Sequence, residues 1–114
     1  MKVLQAVDFH MQYHRANSKK NTVKTCVFVL SRFAAKFTNR ELNSITQEEI
    51  LNFLVTLTHD NKQSTKRNRY SVLSSFYNFI ISTALPDLPN PCNTPVIKKI
   101  FRRPQFILHA FSGR

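Results

Sequence analysis

The sequence has little of what makes turns. It holds one glycine and five prolines in 114 residues, and residues 1–85 contain neither. Sandwiches and barrels need many tight turns, most of which need Gly, so an all-β reading fits poorly and helices joined by polar loops are left. Cysteine is scarce as well. Cys26 and Cys92 fall in no CxxC or Cys/His spacing, and two cysteines cannot staple a fold of this size, so the chain reads as reduced, intracellular and cytoplasmic.

Long apolar runs are missing too. The longest is Cys26-Val27-Phe28-Val29-Leu30, far short of the roughly 20 residues that a bilayer span needs, and no membrane partner is expected. Asp8 and His10 interrupt the N-terminal stretch before any signal-like core develops, which speaks against secretion. There is no P-loop, GxGxxG or GxSxG, and no carboxylate pair beyond Glu48-Glu49, so no cofactor is expected. His10 and His14 stand at i, i+4, a spacing that can chelate a metal from one helix face. No Glu stands between them and no third ligand is evident in the sequence, so no metal site is assigned. Cys26 lies on a strongly apolar face and reads as a buried structural thiol.

What is present is one domain's worth of helix pattern. Over residues 22–37, Val23, Cys26, Val27, Leu30, Phe33, Ala34 and Phe37 recur at the spacing of one helix face. Thr46-Gln47-Glu48-Glu49 is a capping box, followed by Ile50, Phe53, Leu54 and Leu57 as an apolar face. Ser64 is expected to cap a helix over 65–83, with Tyr70, Leu73, Phe76, Tyr77, Ile80 and Ala84 buried and Asn68, Ser71, Ser75, Asn78 and Ser82 opposite. That polar stripe suits either water or a nucleic-acid groove. A first helix over 2–15 has Leu4, Val7, Met11 and His14 on one line, with Phe9 and Tyr13 on another. Tyr13, Tyr70 and Tyr77 read as core, and Phe28, off the apolar arc, is expected against the first helix. Residues 1–85 thus form the helical domain. Residues 86–114 form a Pro-rich linker or exit arm, with up to two helical turns over 96–103 and an apolar end at Phe106, Ile107, Leu108 and Phe111.

The formal charge is +11, from 17 Lys+Arg against 6 Asp+Glu, and it is segregated along the chain. Residues 9–40 carry Arg15, Lys19, Lys20, Lys24, Arg32, Lys36 and Arg40 with no acid. Residues 41–60 carry Glu41, Glu48, Glu49 and Asp60 with no base. Basic residues return alone in 61–86 and again in 88–114. A helix N-terminus carries roughly half a positive charge, so cations there cost from a few tenths to about 1 kcal/mol. The third helix obeys this rule. The second and fourth break it, opening on Lys19-Lys20-Asn21-Thr22-Val23-Lys24 and Lys62-Gln63-Ser64-Thr65-Lys66-Arg67. An anion bound at both starts would compensate, because free N–H groups, dipole and lysines all favour phosphate. With both starts on one side of the bundle they would clamp a nucleic-acid backbone, and Lys98 and Lys99 would fall outside that clamp.

Taken together, Ser18-Lys19-Lys20-Asn21-Thr22, then Leu30, Phe33 and Phe37, then Leu42-Asn43-Ser44-Ile45-Thr46-Gln47-Glu48-Glu49-Ile50 resemble the N-terminal core-binding domain of tyrosine recombinases of the phage-integrase type. Lys62-Gln63-Ser64-Thr65, Arg69, Leu73, Phe76-Tyr77-Asn78-Phe79 and Asn90-Pro91-Cys92 extend the resemblance, which runs from about residue 9 to residue 103. The resemblance implies an all-α, orthogonal four-helix SAM-like bundle with a Pro-rich C-terminal arm, forming one half of a clamp on double-stranded DNA. Carried over by position, its DNA-binding residues are Lys19, Lys20, Asn21, Thr22, Lys24, Lys62, Ser64, Thr65, Lys66, Arg67 and Asn68. It also implies contacts with other recombinase protomers through the C-terminal arm. The family's strand-cleaving residues stand in a second domain that this sequence does not reach, so no catalysis is expected, and Tyr70 and Tyr77 are not nucleophiles. Cys26 departs from the aromatic residue usual at its position. The alternative reading is a protein-interaction module using the acidic third helix and the apolar tail, or a remnant of a truncated integrase without function.

Overall fold

A computed structural model describes residues 1–101 of the chain. The elements are α1 (Val3–Asn17), α2 (Lys20–Phe37), a short 3-10 turn (Leu42–Ser44), α3 (Gln47–Leu57), α4 (Gln63–Thr83) and α5 (Pro95–Phe101). The fold is all-α, and no strand occurs among the described residues beyond a single bridge between Lys2 and Glu41. No described helix is long and apolar enough to cross a membrane. Arg102, Arg103 and the apolar residues 106–111 lie outside the described residues.

The helix α4 is the hub, packing against each of the other four helices. Its buried stripe of Tyr70, Leu73, Phe76, Tyr77 and Ile80 is the one the 3.6-residue period predicts. Ala84 is excluded from it, being the exposed C-cap residue of the helix. From α2 come Val29, Leu30, Phe33 and Phe37, and from α3 come Ile50, Phe53 and Leu54. Phe33 joins these layers. Its ring lies 5.1 Å from Phe37, 5.4 Å from Phe53, 5.8 Å from Phe76 and 6.2 Å from Tyr77, all tilted or edge-on as aromatic quadrupoles prefer.

The first helix sits rotated from its expected face. Val3, Ala6, Val7, His10 and Met11 are buried, whereas Leu4 points to solvent. The cause is long-range: the Val3 N–H donates to Arg40 C=O at 3.0 Å and the Leu42 N–H to Met1 C=O at 2.9 Å, so the chain ahead of α1 is pinned to residues 40–42. Phe9 and Tyr13, part-exposed, lean on Phe79 of α4 at 5.3 and 4.8 Å, so Tyr13 is a rim residue and not core.

Capping also differs from expectation. On α3 the box forms as read: Thr46 Oγ1 accepts from the Glu49 N–H at 3.2 Å, and Glu49 Oε1 accepts from the Thr46 N–H at 3.1 Å. On α4, Ser64 is not the cap. Lys62 takes that place and Ser64 falls in the first turn, because the Gln63 side chain donates to the Ile100 and Phe101 carbonyls of α5 at 3.2 and 3.4 Å. Similarly α2 starts at Lys20, two residues before the periodic pattern begins. The turn between α3 and α4 uses a left-handed Asp60, φ 66°, where a chain richer in glycine would use Gly.

Arg40 braces the α3 start, its Nη1 and Nη2 donating to Glu49 Oε2 and Oε1 at 2.7 and 3.0 Å. The hydrogen bonds from Arg40, then that from the Thr46 N–H, hold the Glu49 carboxyl down from 4.5 to about 2. A lowered carboxyl stabilises the fold above its unfolded value and loses that contribution as pH falls through the folded one. Stability is therefore expected to drop between about pH 4.5 and about pH 2. Glu49→Gln should flatten this limb and lower the urea midpoint at neutral pH. Urea midpoints along a pH series check it, and an acid limb unchanged in the variant would contradict the assignment.

The Pro-rich stretch does not leave the bundle within the described residues. Cys92, Ile97 and Phe101 join the core, the Tyr70 hydroxyl donates to Cys92 C=O at 3.0 Å, and the Tyr70 and Phe101 rings stack. Asn90 makes the fold-back specific. Its Oδ1 accepts from the Cys92 N–H at 2.9 Å, and its Nδ2 donates to Asn78 Oδ1 at 3.0 Å and to Ser74.

Candidate nucleic-acid interface

The starts of α2 and α4 are built alike. The N-cap residues Lys19 and Lys62 are both extended, at φ −67°, ψ 154° and φ −65°, ψ 156°, and neither start carries a side-chain cap or an acid in its first turn. The first helical bonds run from Val23 N–H to Lys19 C=O and from Lys66 N–H to Lys62 C=O, each 3.0 Å. Ahead of them, the N–H groups of residues 20–22 and 63–65 have no acceptor within their own helix. Each start therefore presents uncapped donors, the positive end of a dipole and lysines together.

The two helices pack against each other, and residues from their N-terminal halves line a shared seam. A cleft of about 260 Å³ is walled by Lys24, Thr25 and Phe28 from α2 and by Thr65, Asn68 and Arg69 from α4. A second, of about 360 Å³, brings Asn21 and Thr22 against Asn68, Ser71 and Ser75. Of the residues expected to hold DNA, Asn21, Thr22, Lys24, Thr65 and Asn68 are thus brought together. Lys19, Lys20, Lys62 and Ser64 are exposed at the helix starts, and Lys66 is half-buried beside them. Arg67 is turned to another side of α4, where it lines a polar cleft of about 280 Å³ with Asn90, Asn93 and Lys98. Lys98, expected outside the clamp, therefore lies beside one of the residues expected to hold DNA.

Charge at this face is uncompensated. Among the described residues, none of Lys19, Lys20, Lys24, Lys62, Lys66 or Arg67 is ion-paired, whereas Glu41 and Glu49 are engaged by the N-terminal ammonium and Arg40. The polar stripe of α4 divides into three. Asn68, Ser71 and Ser75 face the second cleft, Asn78 is taken by Asn90, and Ser82 bonds back to Phe79 C=O.

Phe28 packs toward α4 and not α1. It is half-buried at the seam, with the guanidinium carbons of Arg32 and Arg69 at 4.3 and 4.2 Å from its ring centre. Arg69 also donates to Asn61 Oδ1 at 2.9 Å and Leu57 C=O at 3.4 Å, so it ties α2, α4 and the end of α3 together. Periodicity missed this trio because Phe28 lies off the apolar arc. The usable signal was Arg32 one helical turn from Phe28, a spacing at which a cation reaches a ring.

Among curated proteins and among solved structures, nothing matches the chain. A family model does match, that of the phage integrase N-terminal SAM-like domain, over residues 3–87. The match opens on the first residue of α1 and ends just past α4, so it takes in both basic helix starts and the hub they flank. The chain belongs to the phage integrase N-terminal SAM-like domain family, and its role lies in integrase-type DNA recombination.

Proposed function

We propose that this domain holds double-stranded DNA as the core-binding part of an integrase, seating the starts of α2 and α4 on phosphates. The observation that carries the reading is the pair of uncapped, lysine-bearing helix starts on one seam, with no carboxylate paired to their cations among the described residues. Phosphate contacts of this kind set position and affinity but read no sequence. Asn68 and Ser71, short polar side chains on the wall of the seam, are the groups suited to base edges in a major groove. The role proposed is holding DNA; no strand cleavage is assigned to these helices.

Amide chemical shifts followed while a duplex is added test the reading. The largest changes are expected at residues 20–24 and 63–68, with Glu48 and its neighbours on α3 little affected. Changes centred on α3 would overturn the proposal in favour of a protein-interaction surface.

A further inference from the structure

Where the inner side of α1 meets the second cleft lies a group of polar atoms to which DNA holding assigns no part. His10 is only 2% exposed, and neither of its ring nitrogens has a hydrogen-bond partner among the described residues. Buried polar atoms are rarely left so, and each exception calls for an explanation such as an ion. His14 lies one turn on, its ring 4.4 Å from that of His10, and the fold brings in a donor that the sequence did not reveal beside them. That donor is Cys26 of α2: one ligand atom each from His10, His14 and Cys26 lie within 4.8 Å of one another.

We propose that His10, His14 and Cys26 form a zinc site linking α1 to α2, with water from the adjoining cleft as fourth ligand. Two imidazoles and a thiolate are a donor set that Zn²⁺ favours over the oxygen-seeking Mg²⁺ and Ca²⁺. His14 and Cys26 both line the cleft of about 360 Å³, which gives an ion its entry path and its water. Bond lengths of about 2.0–2.1 Å to nitrogen and about 2.3 Å to sulfur put tetrahedral donors roughly 3.3–3.6 Å apart, so the side chains must close by about 1 Å. His14 can supply that movement because it is half-buried, and Ser18 Oγ, 2.6 Å from its Nδ1, is a partner of the kind that orients a ligating imidazole. Burial, with His14 adding to it, holds His10 down at about 4, so its imidazole is neutral and offers a lone pair at neutral pH. Burial pushes the Cys26 thiol up. Forming the metal–sulfur bond therefore releases one proton from Cys26 Sγ to solvent, and the thiolate supplies the bonding pair.

The test uses the full chain under reducing conditions, with Co²⁺ as the spectroscopic probe and Zn²⁺ as competitor. It requires no DNA, so its outcome is separate from that of the DNA-holding proposal. One Co²⁺ per chain is expected, with a sulfur-to-cobalt charge-transfer band that Zn²⁺ abolishes. Cys26→Ala should lose the band, and His14→Ala, which removes a ligand outright, should weaken binding by more than the roughly tenfold that loss of a ligand's outer partner costs. His59→Ala, which removes an exposed histidine outside the group, should bind like the wild type. Zn²⁺ should raise the Tm of the wild type, as any ligand of the folded state does, and leave that of Cys26→Ala unmoved. Absence of the charge-transfer band in the wild type overturns the proposal, and so does an equal Zn²⁺-induced Tm shift in wild type and Cys26→Ala.

Discussion

Reversing Lys62 and Lys66 to Glu is expected to weaken duplex binding by about 60-fold at about 0.1 M salt, on the basis that each lost phosphate contact removes about 0.9 log unit per decade of salt. Both cations stand at the uncapped start of α4 and neither is ion-paired among the described residues, so their replacement breaks no ion pair of the fold. The control must carry the same charge change elsewhere. Lys98 would be a poor choice, since it lines a cleft with Arg67 and Ser71 of α4 itself. Lys2 and Lys36 serve better: Lys36 stands in the last turn of α2, about 24 Å along the helix from its start at 1.5 Å per residue. Lys2→Glu with Lys36→Glu should cost only the diffuse effect of net charge, several-fold at most, and anisotropy titrations of both double variants compare them. Equal losses would mean that DNA responds to total charge and not to the helix starts.

Phe33→Ala is the substitution expected to cost most in stability, about 3–5 kcal/mol. Phe33 is fully buried and its ring meets those of Phe37, Phe53, Phe76 and Tyr77, which reach it from α2, α3 and α4. Truncation leaves a cavity between three helices that cannot close without moving α4, itself packed against all the others. Against a total of about 5–15 kcal/mol for a domain, that loss removes a large fraction of the stability. Val55→Ala, on the exposed side of α3, should lie within about 0.5 kcal/mol of the wild type. Urea unfolding of both variants decides it, and a Phe33→Ala cost below about 1 kcal/mol would show that the aromatic cluster is not the centre of the core.

Much of the fold was legible because it is local. The positions of Leu30, Phe33 and Phe37, the buried stripe of α4 and the Thr46 box follow from helical period and side-chain capping alone. What escaped was set by partners distant in sequence. The rotation of α1 depends on residues 40–42, the start of α4 on the carbonyls at the end of α5, and the fold-back of the arm on Asn90 reaching Asn78. The site divides in the same way. Lysines at two helix starts could be read from charge order, whereas Phe28 between Arg32 and Arg69, Arg67 beside Lys98, and Cys26 beside two histidines exist only once helices pack.

The dependence of duplex affinity on salt tests the central claim most directly. With five or six of the cations at the two helix starts on phosphates, log affinity against log salt should fall with a slope of about −5, from about −0.9 per phosphate neutralised. A labelled duplex titrated with the full chain at several salt concentrations gives that slope. A slope near zero, or no detectable binding at low salt, would contradict the account.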